Sequence, residues 1–167
     1  DYALGTRGGR ILPGHTSQTF IKGAKGMISK WWLKRTRPQP SPLLAITPDA
    51  YVGHCWPMDG DQGSLGIHLA EPIFITSMTI EYPSHNLLNH KMSSAPKEVE
   101  LWGLKHDTTN AIYLGSFTYD IKSSSSSIQT FTLDQHQDIL FEGAVLRILS
   151  NWGNKDHTCL YRIRIHG

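Results

Sequence analysis

Residues 160–167 read LYRIRIHG, with Tyr161, Ile163 and Ile165 on one side of an extended chain and Arg162, Arg164 and His166 on the other. That alternation is the mark of a half-buried strand. SLGIHLA (64–70) repeats it with Leu65, Ile67 and Leu69. IFITSMTIEY (73–82), EVELWGL (98–104), AIYLGSFTY (111–119), IQTFTL (128–133) and AVLRILS (144–150) are each rich in β-branched or aromatic residues. LLAI (43–46), an apolar run stopped by Thr47 and Pro48, reads as one more short strand. Turn-forming stretches such as PMDGDQGS (57–64), YPSHNLLNHKMSSAPK (82–97) and KSSSSS (122–127) separate these runs. Short, regularly spaced strands with such punctuation predict an all-β, antiparallel β-sandwich. The serine run 123–127 is expected at a flexible hairpin tip.

With 167 residues, 39% of them hydrophobic and 18% charged, the chain is large enough for one domain with a real core. A single domain over 1–167 is expected, since no internal repeat or change of composition marks a second. No run of apolar residues is long enough for a membrane-spanning helix. The chain begins with Asp1 and no signal peptide, which suggests a domain taken from a longer protein. Charge is uneven: residues 1–48 hold eight of the sixteen Lys and Arg and a single acid, Asp1. Most of that charge lies in FIKGAKGMISKWWLKRTRPQPSP (20–42), where Lys22, Lys25, Lys30, Lys34, Arg35 and Arg37 accompany Trp31 and Trp32. Prolines 38, 40 and 42 stop any regular element there, so an arm or flap over the sandwich is expected. Its broken platform argues against nucleic acid, while Trp beside cations suits an acidic peptide or an anionic membrane face.

Chemistry-bearing motifs are sparse. Cys55 and Cys159 are the two cysteines, open to three readings: free thiols in a reducing compartment, a disulfide in an oxidising one, or half of a zinc site with His54 and His157. Zinc is disfavoured, because adjacent His54 and Cys55 point apart in an extended chain and the usual Cys-x2–4-Cys spacing is missing. GHCW (53–56) lacks the framing of a cysteine protease, and no nucleophile elbow, zincin or phosphate-binding loop stands in context. Asp59/Asp61 and Glu98/Glu100 are spaced like turn or strand-edge acids. The chain reads as a non-enzyme.

Several stretches together resemble the SUN domain of Sad1-type inner-nuclear-membrane proteins. They are DYAL (1–4), PDAYVGHCW (48–56), SSAPKEVELWG (93–103), LGSFTYD (114–120) and LRILSNWGNKDHTCLYRIRIHG (146–167). The resemblance implies a discoidin- or jelly-roll-like β-sandwich in the perinuclear space. It would be carried as a homotrimer on an upstream coiled coil, and would bind the C-terminal tail of KASH proteins in the LINC complex. It further implies that Cys55 and Cys159 form a disulfide. That bridge would flank a cation loop, residues 44–55, whose backbone carbonyls at Leu44, Thr47, Asp49, His54 and Tyr161 would hold potassium or sodium. Ser94 and Tyr161 match residues of the pocket for the peptide's terminal carboxylate, His157 stands where a second pocket tyrosine is usual, and Tyr82 replaces a histidine. Residues 19–40, with Trp31 and Trp32, map onto the hairpin flap called the KASH lid, to which the peptide adds a strand. The family position that can carry a cysteine for a covalent bond to the peptide is Thr16 here, so binding is expected to be non-covalent. The basic arm is expected to meet an acidic part of the KASH protein or the nearby membrane leaflet. The rival reading is a discoidin-like sandwich that binds glycan or lipid headgroups through its loops, with Trp31 and Trp32 among the contacts.

Overall fold

The computed structural model describes residues 1–167 except 24–26, 37–38, 89–91, 107–109, 123–125 and 134–137. It is a β-sandwich in which every strand pairing among the described residues is antiparallel. One sheet has the order β1 (Arg10–Ile11), β3 (Gly63–Ile73), β8 (Phe141–Ile148), β5 (Glu98–Leu104) and β6 (Ala111–Thr118). A second has the order β10 (Arg162–His166), β4 (Ser77–Glu81) and β7 (Ile128–Thr132). A two-stranded ribbon, β2 (Trp56–Asp59) with β9 (His157–Leu160), completes the set.

Alternation in the sequence becomes layering. Leu65, Ile67, Val99, Leu101 and Leu146 from the first sheet share one core with Met78, Ile80, Ile163 and Ile165 from the second. Trp56, Met58 and Leu160 of the ribbon close that core at one end. At the edge a single residue stitches the layers together: Tyr2 N–H donates to the Ile165 carbonyl at 2.9 Å, and the Tyr2 carbonyl accepts from Ala70 N–H at 2.8 Å. The pairing of β3 with β8 shifts between His68 and Ile73, where Pro72 has no N–H to give the ladder.

Four expectations change. LLAI lies in a 3-10 turn, Pro42–Ile46, rather than a strand. Ser41 caps it by accepting from Leu43 N–H, and Pro42 supplies a fixed φ at its first turn. The run 73–82 is two elements, with β3 ending at Ile73 and β4 starting at Ser77. The strands flanking the serine run are not hairpin partners, because β6 ends one sheet and β7 belongs to the other; residues 123–125 themselves lie outside the described residues. The flap is not a hairpin either: it holds one helix, α1 (Met27–Thr36). Among the described residues its only strand-like contact is the isolated bridge of Thr19 to Met58. The reason is compositional, since MISKWWLKRT is mostly made of residues that tolerate a helix and has no alternation that would bury one face of a strand.

Candidate functional site

Cys159 sits at the centre of the predicted site. It is bonded to Cys55, with Cα atoms 5.5 Å apart, so both thiols are used in the bridge and neither is left for zinc. The backbone of Cys159 is also pinned from both sides. Its N–H donates to the Ser94 carbonyl at 2.8 Å, and its carbonyl accepts from the Tyr82 hydroxyl. The SSAPK loop therefore docks on β9. Asn154 N–H to the Ser93 carbonyl and Trp152 N–H to the Ala95 carbonyl, each 3.1 Å, extend that seam.

The loop leading into β9 is shaped by two asparagine side chains. Asn151 Oδ1 accepts from Gly153 N–H at 2.9 Å, and Asn154 Oδ1 accepts from Asp156 N–H at 2.9 Å. These short-range bonds hold the turn without regular secondary structure. Asn151 Nδ2 reaches on to the Thr158 hydroxyl at 3.0 Å, tying the turn to the strand.

Three tyrosines pack behind the bridge. Tyr82 meets Tyr119 at 5.2 Å and Tyr161 at 4.8 Å between ring centroids. Tyr82 is 4% exposed, so it supports the site from beneath rather than forming its surface. Burial pushes its hydroxyl pKa well above the ordinary phenol value, with Tyr119 and Tyr161 adding to the shift, so it remains a proton donor. Tyr161 is also buried, and its hydroxyl accepts from Gly53 N–H at 3.2 Å. Gly53 has φ +86°, a left-handed turn at the tip of the loop before Cys55.

His157 faces the arm. Its ring stacks on Phe20, with centroids 5.0 Å apart and planes 22° from parallel. Its Nδ1 is buried without a hydrogen-bond partner among the described residues. Burial pushes the His157 pKa below 6.5 while the Asp156 carboxylate partly opposes the shift. His166 is lowered by burial too, with the Asp1 amino group and Arg164 adding to it. Both rings thus take up a proton less readily in the fold than in the unfolded chain, which takes up protons once the pH drops below about 6.5. Thermal stability is expected to be level above that pH and to fall as the pH passes down through the two lower folded values. Melting curves between pH 7.5 and 5.5 check this. The double variant His157→Gln/His166→Gln should lose most of the slope, and a wild-type melting temperature that rises on acidification would contradict it.

The arm is anchored beside the same ribbon. Phe20 N–H donates to the Pro57 carbonyl at 2.8 Å, Asp59 N–H to the Gln18 carbonyl at 2.9 Å, and Trp56 Nε1 to the Thr19 hydroxyl at 2.9 Å. Lys30 of α1 pairs with Asp59 at 2.7 Å, and Asp59 is the strand partner of His157. Within the arm and the segment that leads into it lies a groove of about 330 Å³ lined by residues including Gln18, Thr19, Lys30 and Trp31. Thr16 is engaged structurally: its hydroxyl donates to the Leu12 carbonyl at 2.8 Å and accepts from Gly66 N–H at 3.1 Å.

The predicted cation loop runs from the 3-10 turn to the bridge. The Leu44 carbonyl accepts from the Thr47 N–H at 3.4 Å and the Thr47 hydroxyl at 2.9 Å, which engages both lone pairs. His54 N–H closes a turn onto the Tyr51 carbonyl at 3.0 Å. No group of three or more His, Cys, Asp or Glu gathers anywhere among the described residues. Backbone carbonyls are neutral donors, so the set that the resemblance implies at Thr47, Asp49, His54 and Tyr161 would suit a large monovalent ion better than a divalent one, with Leu44 its weakest member. Arg162, absent from the sequence-based set, donates to the Pro48 carbonyl at 2.7 Å and so fixes the loop from below.

The structure thus brings Ser94, His157, Tyr161 and Tyr82 around one bridge, with Trp31 and Trp32 on the helix tethered next to it. Phe20 and Arg162 were missed. An aromatic closing the polar stretch TSQT (16–19), and an arginine on the polar face of the final strand, were the only signals for them.

Comparison with known proteins adds three findings. The family model described as Sad1 / UNC-like C-terminal matches residues 36–167. SUN domain-containing protein 1 of Homo sapiens is 37% identical across the whole chain, which covers 21% of that protein. SUN domain-containing protein 3 of Bos taurus is 35% identical across the whole chain, which covers 46% of it. The chain thus spans less than half the length of these two relatives. Among solved structures, the family 32 carbohydrate-binding module of Streptococcus pneumoniae EndoD aligns over 95% of both chains with TM-score 0.63 and 11% identity. An allantoicase structure aligns over the whole chain and 43% of its own, with TM-score 0.66 and 14% identity. At such identities these two report the sandwich architecture alone.

Proposed function

Since the chain belongs to the Sad1 / UNC-like C-terminal family, that of the SUN domain-containing proteins, we propose that it is a non-enzymatic tether in the perinuclear space that captures the C-terminal tail of a KASH protein. In this reading it links the inner and outer nuclear membranes within a LINC complex, as a trimer held by an upstream coiled coil. One observation carries the proposal. The SSAPK loop and the final strands, far apart in sequence, are joined at Cys159, whose N–H donates to the Ser94 carbonyl, so that Ser94 lies against the ribbon that bears His157.

The chemistry suits a terminal carboxylate. Ser94 supplies a hydroxyl donor, and the His157 imidazole a second one at Nε2 when that nitrogen carries the proton. Capture of a C-terminal carboxylate is a recurring peptide-recognition mode. The groove under α1 gives the rest of an extended peptide a place to lie, with Trp31 at its edge. A potassium or sodium ion on the loop carbonyls would stiffen residues 44–55 without taking part in the contact. Binding of glycan, the alternative for a sandwich of this shape, finds no support in the site beyond the shared architecture.

The test is a titration of the domain, trimerised on a coiled coil, with a KASH C-terminal peptide as free acid and as amide. Loss of charge-assisted hydrogen bonds should weaken the amide at least about tenfold. Ser94→Ala is expected to lower affinity for the free acid and to leave the amide unchanged. Equal affinity for both peptides would remove the carboxylate pocket from the reading.

A further inference from the structure

Helix α1 reads MISKWWLKRT, with three cations and no acid. Four of its large apolar residues are exposed: Met27 by 88%, Ile28 by 85%, Trp31 by 62% and Trp32 by 60%. These occupy positions i, i+1, i+4 and i+5, which at about 100° per residue form one arc of about 140°. Lys30 lies about 130° from the middle of that arc on the same wheel. Its ion pair with Asp59 ties this polar side to the sandwich, which turns the apolar arc outward.

We propose that this outward arc is an interfacial surface that docks on an anionic lipid bilayer. A contiguous apolar patch on a soluble domain marks a partner. Protein interfaces place an apolar centre inside a polar rim and deplete charge at the core. Here cations share the side of the wheel that carries the tryptophans: Arg35 falls within the arc, and Lys34 falls about 20° beyond its edge. That mixture suits the headgroup region, where indole rings settle and cations meet anionic lipid. The local charge agrees, since residues 1–48 hold half of all Lys and Arg with Asp1 as their one acid. A ten-residue helix is about 15 Å long, enough to lie flat in the interface and far too short to cross it.

The test needs no peptide, so its failure is separate from that of the tether. The domain is floated with vesicles of phosphatidylcholine alone and with vesicles about one third phosphatidylserine. Binding to the anionic vesicles alone, weakened by added salt, is expected. Trp31→Ala/Trp32→Ala should lower that partitioning at least about tenfold with an unchanged melting temperature. Lys34→Glu/Arg35→Glu should lower it as well. Absence of wild-type binding to anionic vesicles would overturn the proposal, and so would unchanged binding of the double tryptophan variant. Binding to poly-glutamate without binding to vesicles would overturn it too, and would reassign the surface to an acidic polypeptide.

Discussion

Replacing both bridge cysteines, Cys55→Ala/Cys159→Ala, is expected to lower stability by about 4.7 kcal/mol, the value for closing a loop of this size in the chain-entropy model. The bridge spans a sequence separation of 104, so the unfolded chain loses much freedom when it is closed. Little is lost from packing, since alanine keeps the first carbon of Cys159 in a site that is 8% exposed. For a domain of this length the melting temperature should fall by roughly 10–15 °C. Denaturant titration checks the free energy, and the wild-type protein under strong reductant should reach the same midpoint as the variant. A difference below about 1 kcal/mol would mean that the unfolded chain already holds these segments together.

Glu81→Gln is the second large effect. Glu81 ends β4 opposite Arg162 and accepts from both neighbouring guanidiniums, from Arg162 at 3.4 Å and from Arg164 more closely. All three side chains are largely shielded, at 15%, 13% and 29% exposure. Arg162 keeps a second anion in Asp1 at 3.3 Å, whereas Glu81 is the carboxylate that both arginines share. Burial lowers the Arg162 pKa, Arg164 lowers it further, and Glu81 and then Asp49 oppose the shift. Glutamine keeps the shape and removes the charge, leaving two like charges side by side in a poorly solvated place. A cost of about 3 kcal/mol is expected, at the low end for breaking a buried pair because Asp1 remains. Arg164→Gln should cost less, as Glu81 then still pairs with Arg162. Equal losses for the two variants would show that the shared carboxylate is not the centre of the network. Because Arg162 also holds the Pro48 carbonyl, Glu81→Gln should loosen the loop before Cys55, seen as faster amide exchange there.

Strands with one buried face could be read directly. Tyr161, Ile163 and Ile165 are buried as the alternation in 160–167 requires, and 98–104 is β5 from end to end. Elements that rely on capping or on a distant partner were hidden. LLAI is too short for periodicity to decide, and Ser41 with Pro42 tips it into a 3-10 turn. Trp56–Asp59 holds a proline and becomes a strand only because β9 lies beside it. The composition of α1 allows a helix, but its four exposed apolar residues gave no hint of which side would face the body. For the site, spacing alone left the two cysteines undecided, and only the resemblance joined them and set Ser94 near Tyr161. Phe20 and Arg162 stayed invisible because His157 and Pro48, their partners, are remote in sequence.

The covalent bridge also sets how far the molecule can be drawn out. Under tension between residue 1 and residue 167, only the tails outside residues 55–159 can lengthen, because the bridge short-circuits the chain between them. At about 3.5 Å per extended residue, the enclosed stretch stores roughly 360 Å of contour that remains unspent while the sulfurs stay joined. Thiol exchange would release that slack in one step, so the local redox potential governs reach as well as folding.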